Sequence, residues 1–307
     1  MTLSERNIFF KAGIVFCSIC TLFVLAASFI TIPQIDQLIG TLYGQEMKHV
    51  LYQGTDHVFL GLETLEAKEE ENIRRPSGFF QFLTGGLLKN SYIAVHINLV
   101  LTVIFSLVGI ILIHSFFERT SAPEILYIAI FTIAFAFEAI RLVLPLHFIF
   151  NFPSFYVRIV FRLLLFIRYF SLFSLFAAGL CAAGMEVQKT RIVIFIIIIA
   201  SFIITMGVPI DVLNWDTSLN MVNGYASMFK MIELLAFITT VISFLIAKKV
   251  RGSAEYNYVA LGVLLASAGR TIFIGTDNWA GPVFGILLLS AGTWFLCSKL
   301  HKIHLWL

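Results

Sequence analysis

The chain has 307 residues, 59% of them hydrophobic and only 13% charged, with a formal net charge of +3 and a mean hydropathy of +0.92. A soluble domain carries about 25% charged residues, so this composition excludes a soluble globular protein and points to a polytopic membrane protein. The four cysteines, Cys17, Cys20, Cys181 and Cys297, all lie in apolar runs, so neither a disulfide framework nor a zinc pattern can be built from them.

Residues 1–11 are short and polar, with Arg6 and Lys11. Residues 12–32 are apolar. Ala26-Ala27-Ser28 offers small residues suited to signal cleavage, but the run is long for a signal core and reads as an anchoring first span. Residues 34–90 form the one sizeable non-membrane segment. Ile35, Leu38, Ile39, Leu42, Val50 and Leu51 recur at helical spacing. Gly54 and Asp56 then mark a stop and a new start before the charged run 66–71. After Pro76-Ser77-Gly78, the apolar stretch 79–88 reads as an interfacial segment. The expectation is a small extracytoplasmic helical hairpin.

Seven further apolar runs follow, at about 91–116, 124–147, 156–183, 192–209, 226–247, 256–275 and 281–300. Each approaches the roughly 20 residues that a helical span requires. The predicted fold is therefore all-α: a membrane helical bundle of eight spans, one anchor plus a seven-helix core. Its expected divisions are 1–33, 34–90, 91–300 and a tail at 301–307. Lys and Arg flank alternate ends. Arg6 and Lys11, Arg119, Lys189 and Arg191, Lys248 with Lys249 and Arg251, and Lys299 with Lys302 all fall on one side of an eight-span chain. The opposite loops, 151–154, 211–216 and 276–279, lack Lys and Arg and carry Phe152, Trp215 and Trp279. The positive-inside rule then places both termini in the cytoplasm of a bacterial inner membrane, with the hairpin outside.

The informative residues are ionisable groups within the spans. The fourth span carries Arg158, Arg162 and Arg168, with Tyr169 beside them. At about 100° per residue the three arginines share an arc of roughly 120°. Guanidinium groups facing lipid are costly, so this face is expected to look into protein or a wet cavity. The third span has Glu138 and Arg141, an i,i+3 pair that can meet on one face. Pro145 removes the helical donor for the carbonyl of Arg141, so a kink is expected there. The sixth span has Lys230 and Glu233, again i,i+3, and the seventh has Arg270. Five arginines and one lysine against two glutamates leave four excess positive charges. Two structural readings compete with a ligand site. The Glu138–Arg141 and Lys230–Glu233 pairs can knit helices together, and Arg158 and Arg162 can snorkel to headgroups. Neither neutralises the whole excess. The expected site is an outward-facing cavity for a carboxylate, a phosphate or a lipid headgroup, lined by Arg141, Arg158, Arg162, Arg168, Arg270, Glu138, Glu233, Lys230 and Tyr169.

His96 and His147 lie near outer ends of spans, but no H-x-x-x-H or H-E-x-x-H spacing asks for a metal. Phosphate-binding, dinucleotide-binding and nucleophile-elbow motifs do not occur, so no cofactor is expected. The basic groups are accounted for by orientation, which leaves nucleic-acid binding without support. One anchor, an exterior segment and a seven-helix core resemble the layout of bacterial seven-helix sensor modules, although no motif extends that resemblance. The expected function is receptor or sensor-like, with membrane lipids as neighbours. The sequence holds no kinase or cyclase output domain, so a cytoplasmic or membrane protein partner would be needed. A transporter or lipid-handling protein is an alternative, opposed by the lack of internal repeats and of matched helix breaks. An intramembrane acid–base enzyme using Glu138 or Glu233 has no visible nucleophile–base pair. A structural subunit of a membrane complex is the remaining alternative.

Overall fold

The computed structural model describes residues 3–34, 91–118, 122–150, 152–185, 190–215 and 218–305. The expected extracytoplasmic hairpin and interfacial segment, at 35–90, lie outside the described residues. The described chain is a polytopic helical bundle with eight helices long and apolar enough to cross a membrane.

The first two spans are α1 (Leu3–Thr31) and α2 (Tyr92–Phe117). The third comprises α3 (Pro123–Ala134), a 3₁₀ stretch (Phe135–Leu142) and α4 (Val143–Phe150). Then come α5 (Ser154–Ala182), α6 (Thr190–Gly207), α7 (Ala226–Arg251) and α8 (Glu255–Gly275). The last span opens with a π-helical turn at Gly281–Gly285 and continues as α9 (Ile286–Leu305). Local chemistry sets several boundaries. Ser91 caps α2 by accepting a hydrogen bond from the amide of Ala94, and Pro123 opens α3, where its missing N–H costs nothing. Gly252, at φ +66°, ends α7 in the left-handed region and turns the chain back into α8.

The third span is the axis of the bundle: 72% of its apolar window is buried, against 22–50% in the other seven. It packs on α1, α2 and α5. The closest helix pair is α8 with α9. A β-carbon on Gly269 would sit 2.5 Å from the amide nitrogen of Leu289, and one on Gly292 would sit 2.7 Å from the carbonyl oxygen of Gly262. Glycine lets these backbones touch, which suits a medium that supplies no hydrophobic drive between helices.

Both ends of the described chain lie at one end of the bundle. Arg6 Nη2 donates to the carbonyl oxygens of Phe117 at 2.6 Å and Glu118 at 3.2 Å, and the His301 ring meets those of Phe116 and Phe117. Arg251 caps the end of α5 there, with Nε 3.0 Å from the Ala182 carbonyl oxygen. Lys299 and Lys302 pair with Glu255 at the same end, at 3.1 and 2.6 Å. Among the described residues, Arg6, Arg251, Lys299 and Lys302 thus gather at one end, as the sequence alternation predicts.

The opposite end corrects the sequence reading. Residues 211–215 do not form a simple short loop. Between α6 and α7, β1 (Ile210–Trp215) pairs antiparallel with β2 (Met221–Asn223), with Ile210 opposite Asn223, Trp215 opposite Met221 and an irregularity between. The described part of the turn, Ser218–Asn220, enters the bundle. Ser218, Leu219 and Met221 are buried, and Leu219 and Met221 join a core with Val95 and Leu99 of α2, Leu142 of the 3₁₀ stretch, and Phe161 and Leu164 of α5. Non-helical backbone is tolerated at such a depth only where protein surrounds it. Here the surroundings are four of the spans, α1 adding Val24 and Ala27 to the three just named.

Candidate functional site

The site starts from the irregular third span. Pro145 has no N–H to bond the carbonyl of Arg141, and the preceding residues adopt the tighter 3₁₀ form. In that form residues i and i+3 eclipse. Glu138 and Arg141 therefore point the same way into the bundle, both buried, with a guanidinium nitrogen 3.8 Å from a carboxylate oxygen. Where a kink is expected, the span carries eight residues of 3₁₀ helix.

From α5, Arg168 meets the same carboxylate squarely. Its Nε donates to Glu138 Oε1 at 2.7 Å and its Nη2 to Oε2 at 2.6 Å. This two-pronged fork is the geometry guanidinium and carboxylate favour most. From α8, the buried Arg270 donates from Nη2 to the Arg168 carbonyl oxygen at 3.3 Å. Its Nη1 lies 3.9 Å from Glu233 of α7, and its guanidinium carbon is 5.7 Å from the centre of the Phe237 ring. Three guanidiniums from three spans thus share two carboxylates, leaving one formal positive charge. Glu233 is 31% exposed and compensates less than the buried Glu138 does.

The hairpin turn supplies neutral acceptors for the same arginines. The Ser218 carbonyl oxygen accepts a hydrogen bond from Arg141 Nη2. Asn220 Oδ1 accepts from Arg168 Nη2 at 2.9 Å. The amide nitrogen of Asn220 donates to the Ile274 carbonyl oxygen at the end of α8 (3.0 Å) and to Ser218 Oγ (2.9 Å). Leu219, between them, sits at φ +59°, a conformation that disfavours an L side chain and is held here by its own burial and by the hydrogen bonds of Ser218 and Asn220 on either side. Ser218 and Asn220 are the site residues that sequence reasoning missed. The available signal was Ser, Asn and Gly spread between two apolar runs, which marks a turn but not its direction.

The nine expected site residues divide. Glu138, Arg141, Arg168, Arg270 and Glu233 come together. Tyr169 is buried beside them with its ring 6.4 Å from that of Phe229. Arg162 and Arg158 do not reach the cluster. Arg162 is half-buried, its Nη1 at 3.5 Å from the Thr205 carbonyl oxygen and 3.4 Å from Met206 Sδ on α6, and Arg158 is exposed. The expected Lys230–Glu233 pair is replaced by Arg270–Glu233, and Lys230 is exposed. The reason is reach: a buried guanidinium on α8 has stronger need of a carboxylate than an ammonium that can hydrate.

Further polar side chains serve structure. His96 is tied between Thr31 Oγ1 at 3.0 Å and the Tyr92 carbonyl oxygen at 3.2 Å, and Asn98 donates to the Phe273 carbonyl oxygen at 2.8 Å. Among the described residues, no group of three or more His, Cys, Asp or Glu side chains is placed to hold a metal ion. At the basic end the sequence reading overlooked Glu124. It is fully buried, with Arg251 Nη2 and His304 Nε2 each 3.6 Å from its carboxylate.

The fold and this buried ionic cluster define a multi-pass membrane protein. The chain is similar to an uncharacterized protein of Treponema pallidum (strain Nichols), with 20% identity over 239 residues covering 62% of this chain and 69% of that one. No protein-family model matches the chain. No solved structure matches it either.

Proposed function

We propose that the protein is a receptor or sensor-like component of a bacterial inner membrane, with both termini cytoplasmic. In this reading an anionic or strongly hydrogen-bonding group, such as a carboxylate or phosphate, binds at the guanidinium cluster. The observation that supports it is the sharing of three guanidiniums, two buried and one half-buried, by two carboxylates, with the balance made up by neutral oxygens of Ser218 and Asn220. An anionic oxygen is a better partner for a guanidinium than a carbonyl or an amide oxygen. A ligand entering from the hairpin end therefore competes with the turn for Arg141 and Arg168. Its arrival displaces the turn and turns binding into movement. The basic end, with Lys248, Lys249 and Arg251 around the α7–α8 turn, is where a protein partner would read that movement.

Native mass spectrometry of the protein extracted in mild detergent tests this. The wild-type chain should carry a co-purifying acidic molecule, and Arg141→Gln and Arg270→Gln should lose it while retaining a cooperative melting transition. Identical ligand-free spectra for all three proteins end the proposal.

A second reading, transport or lipid handling, is favoured by one observation. The third span is broken into 3₁₀ helix beside the ionic cluster, and the last span opens with a π turn. Irregular helices of this kind line solute paths in transporters. Ligand-dependent flux into sealed vesicles containing the purified protein separates transport from pure sensing.

A further inference from the structure

The arginines of α5 serve two different faces. At about 100° per residue, Arg158, Arg162, Leu165 and Tyr169 lie within roughly 60° of one another, whereas Arg168 lies roughly 80–120° round the helix from the first two. Arg168 enters the core. Arg158 and Arg162 stand on the face flanked by α6 and α7. Both of those helices pack on α5. On this face Leu165 and Tyr169 of α5 pack with Val208, just past the end of α6, with Phe229 of α7, and with the partly buried Phe173, Ile204 and Ile232, which closes the seam between α5 and the two helices. Beside that seam Ile199, Ile203 and Met206 line one exposed apolar face of α6, and Met206 meets Arg162.

Depth places the arginines near the boundary of the bundle's hairpin end. Arg162 bonds the carbonyl of Thr205, two residues before α6 ends at Gly207. Arg168 is level with Arg270 through their hydrogen bond, and Arg270 is five residues from the end of α8 at Gly275. Arg162 is six residues nearer the hairpin end than Arg168, so at about 1.5 Å per residue it stands near the level where α8 stops, and Arg158 stands beyond it. Exposed Phe152, Phe155, Tyr156 and Tyr225 surround this rim, as aromatic residues do at a membrane–water boundary. Among the described residues no carboxylate lies within salt-bridge distance of Arg158 or Arg162. The contact of Arg162 with the Thr205 carbonyl oxygen, at 3.5 Å, is a long one, and its other contact is to the neutral sulfur of Met206 at 3.4 Å.

We propose that this face of α5 binds an anionic phospholipid, its phosphate held by Arg158 and Arg162 and one acyl chain lying along the exposed apolar face of α6. Two guanidiniums one helical turn apart suit a phosphate with several acceptor oxygens, and Met206, Ile203 and Ile199, exposed in succession away from Arg162, suit the chain attached to it. The site is separate from the core cluster and does not depend on that cluster binding a ligand.

The test is lipid retention read by native mass spectrometry. The full chain is loaded in mixed micelles with equal phosphatidylglycerol and phosphatidylcholine of identical chains. Wild-type protein should retain phosphatidylglycerol with at least about a five-fold preference. Arg158→Ala with Arg162→Ala should abolish the preference, and the paired lysine variant should keep part of it. Excess inorganic phosphate should not displace the lipid. Equal retention of the two lipids by the wild type, an unchanged preference in the double alanine variant, or displacement by phosphate alone would each overturn the proposal. All of these variants lie at exposed or half-buried positions, and an unchanged melting temperature confirms their folding.

Discussion

The carboxylate of Glu138 on the 3₁₀ stretch and the guanidinium of Arg168 on α5 are joined by two parallel hydrogen bonds of 2.7 and 2.6 Å. The pair binds the central span to its neighbour at the one place where the central span is not α-helical. Removing one partner strands a buried charge, which costs about 3–5 kcal/mol. Glu138→Gln should therefore destabilise the protein strongly, seen as a large fall in melting temperature in detergent. Glu138→Gln combined with Arg168→Gln should recover part of the loss. A double variant no better than the sum of the single ones would show that the two residues act independently.

Asn220 holds the hairpin turn to two helices, accepting from Arg168 and donating to the Ile274 carbonyl. Asn220→Ala removes both bonds, and hydrogen bonds of this kind contribute about 1–3 kcal/mol where one partner is charged. Hydrogen exchange should accelerate across 210–223 while the amides of α8 and α9 stay protected. Uniform acceleration over the whole bundle would mean that the turn is not a separate unit.

Gly292 lies against the backbone of α8. Gly292→Val forces the two closest helices apart and should cost about 1–3 kcal/mol as overpacking. The same substitution at Gly207, where a β-carbon would meet nothing within 4 Å, should have little effect. Melting of the two variants under one condition checks the contrast.

At the basic end, Glu124 is fully buried between Arg251 and His304. Glu124→Ala leaves Arg251 with only its carbonyl partners at the end of α5 and frees the end of α9. Limited proteolysis should then cut sooner within 300–305, with the spans intact. Unchanged cleavage kinetics would show that the carboxylate does not anchor the tail.

Orientation is open to direct labelling. On a background with the four native cysteines replaced, Tyr225→Cys at the hairpin end should react with an impermeant maleimide from outside intact cells. Ser253→Cys, at the turn between α7 and α8, should react only after the cells are opened. The reverse pattern would invert the topology argued from the lysines and arginines.

The sequence by itself determined the eight spans and the gathering of basic residues at one end. Span length follows from apolar runs such as 226–247, and alternation from flanks such as Lys248 and Lys249; both properties are written along the chain and need no knowledge of neighbours. It also marked Glu138 and Arg141 as a pair, because both belong to one helix. The tertiary structure alone decided which arginines meet. Periodicity assigned Arg158, Arg162 and Arg168 to one arc. Only the packing of α6 and the third span on different sides of α5 separated the two rim arginines from the buried one. Packing likewise gave Glu233 to Arg270 rather than to Lys230, and drew the turn at Ser218–Asn220 into the bundle. A turn signal fixes that the chain reverses; the unmet hydrogen-bonding capacity of guanidiniums on other helices fixes where the turn comes to rest.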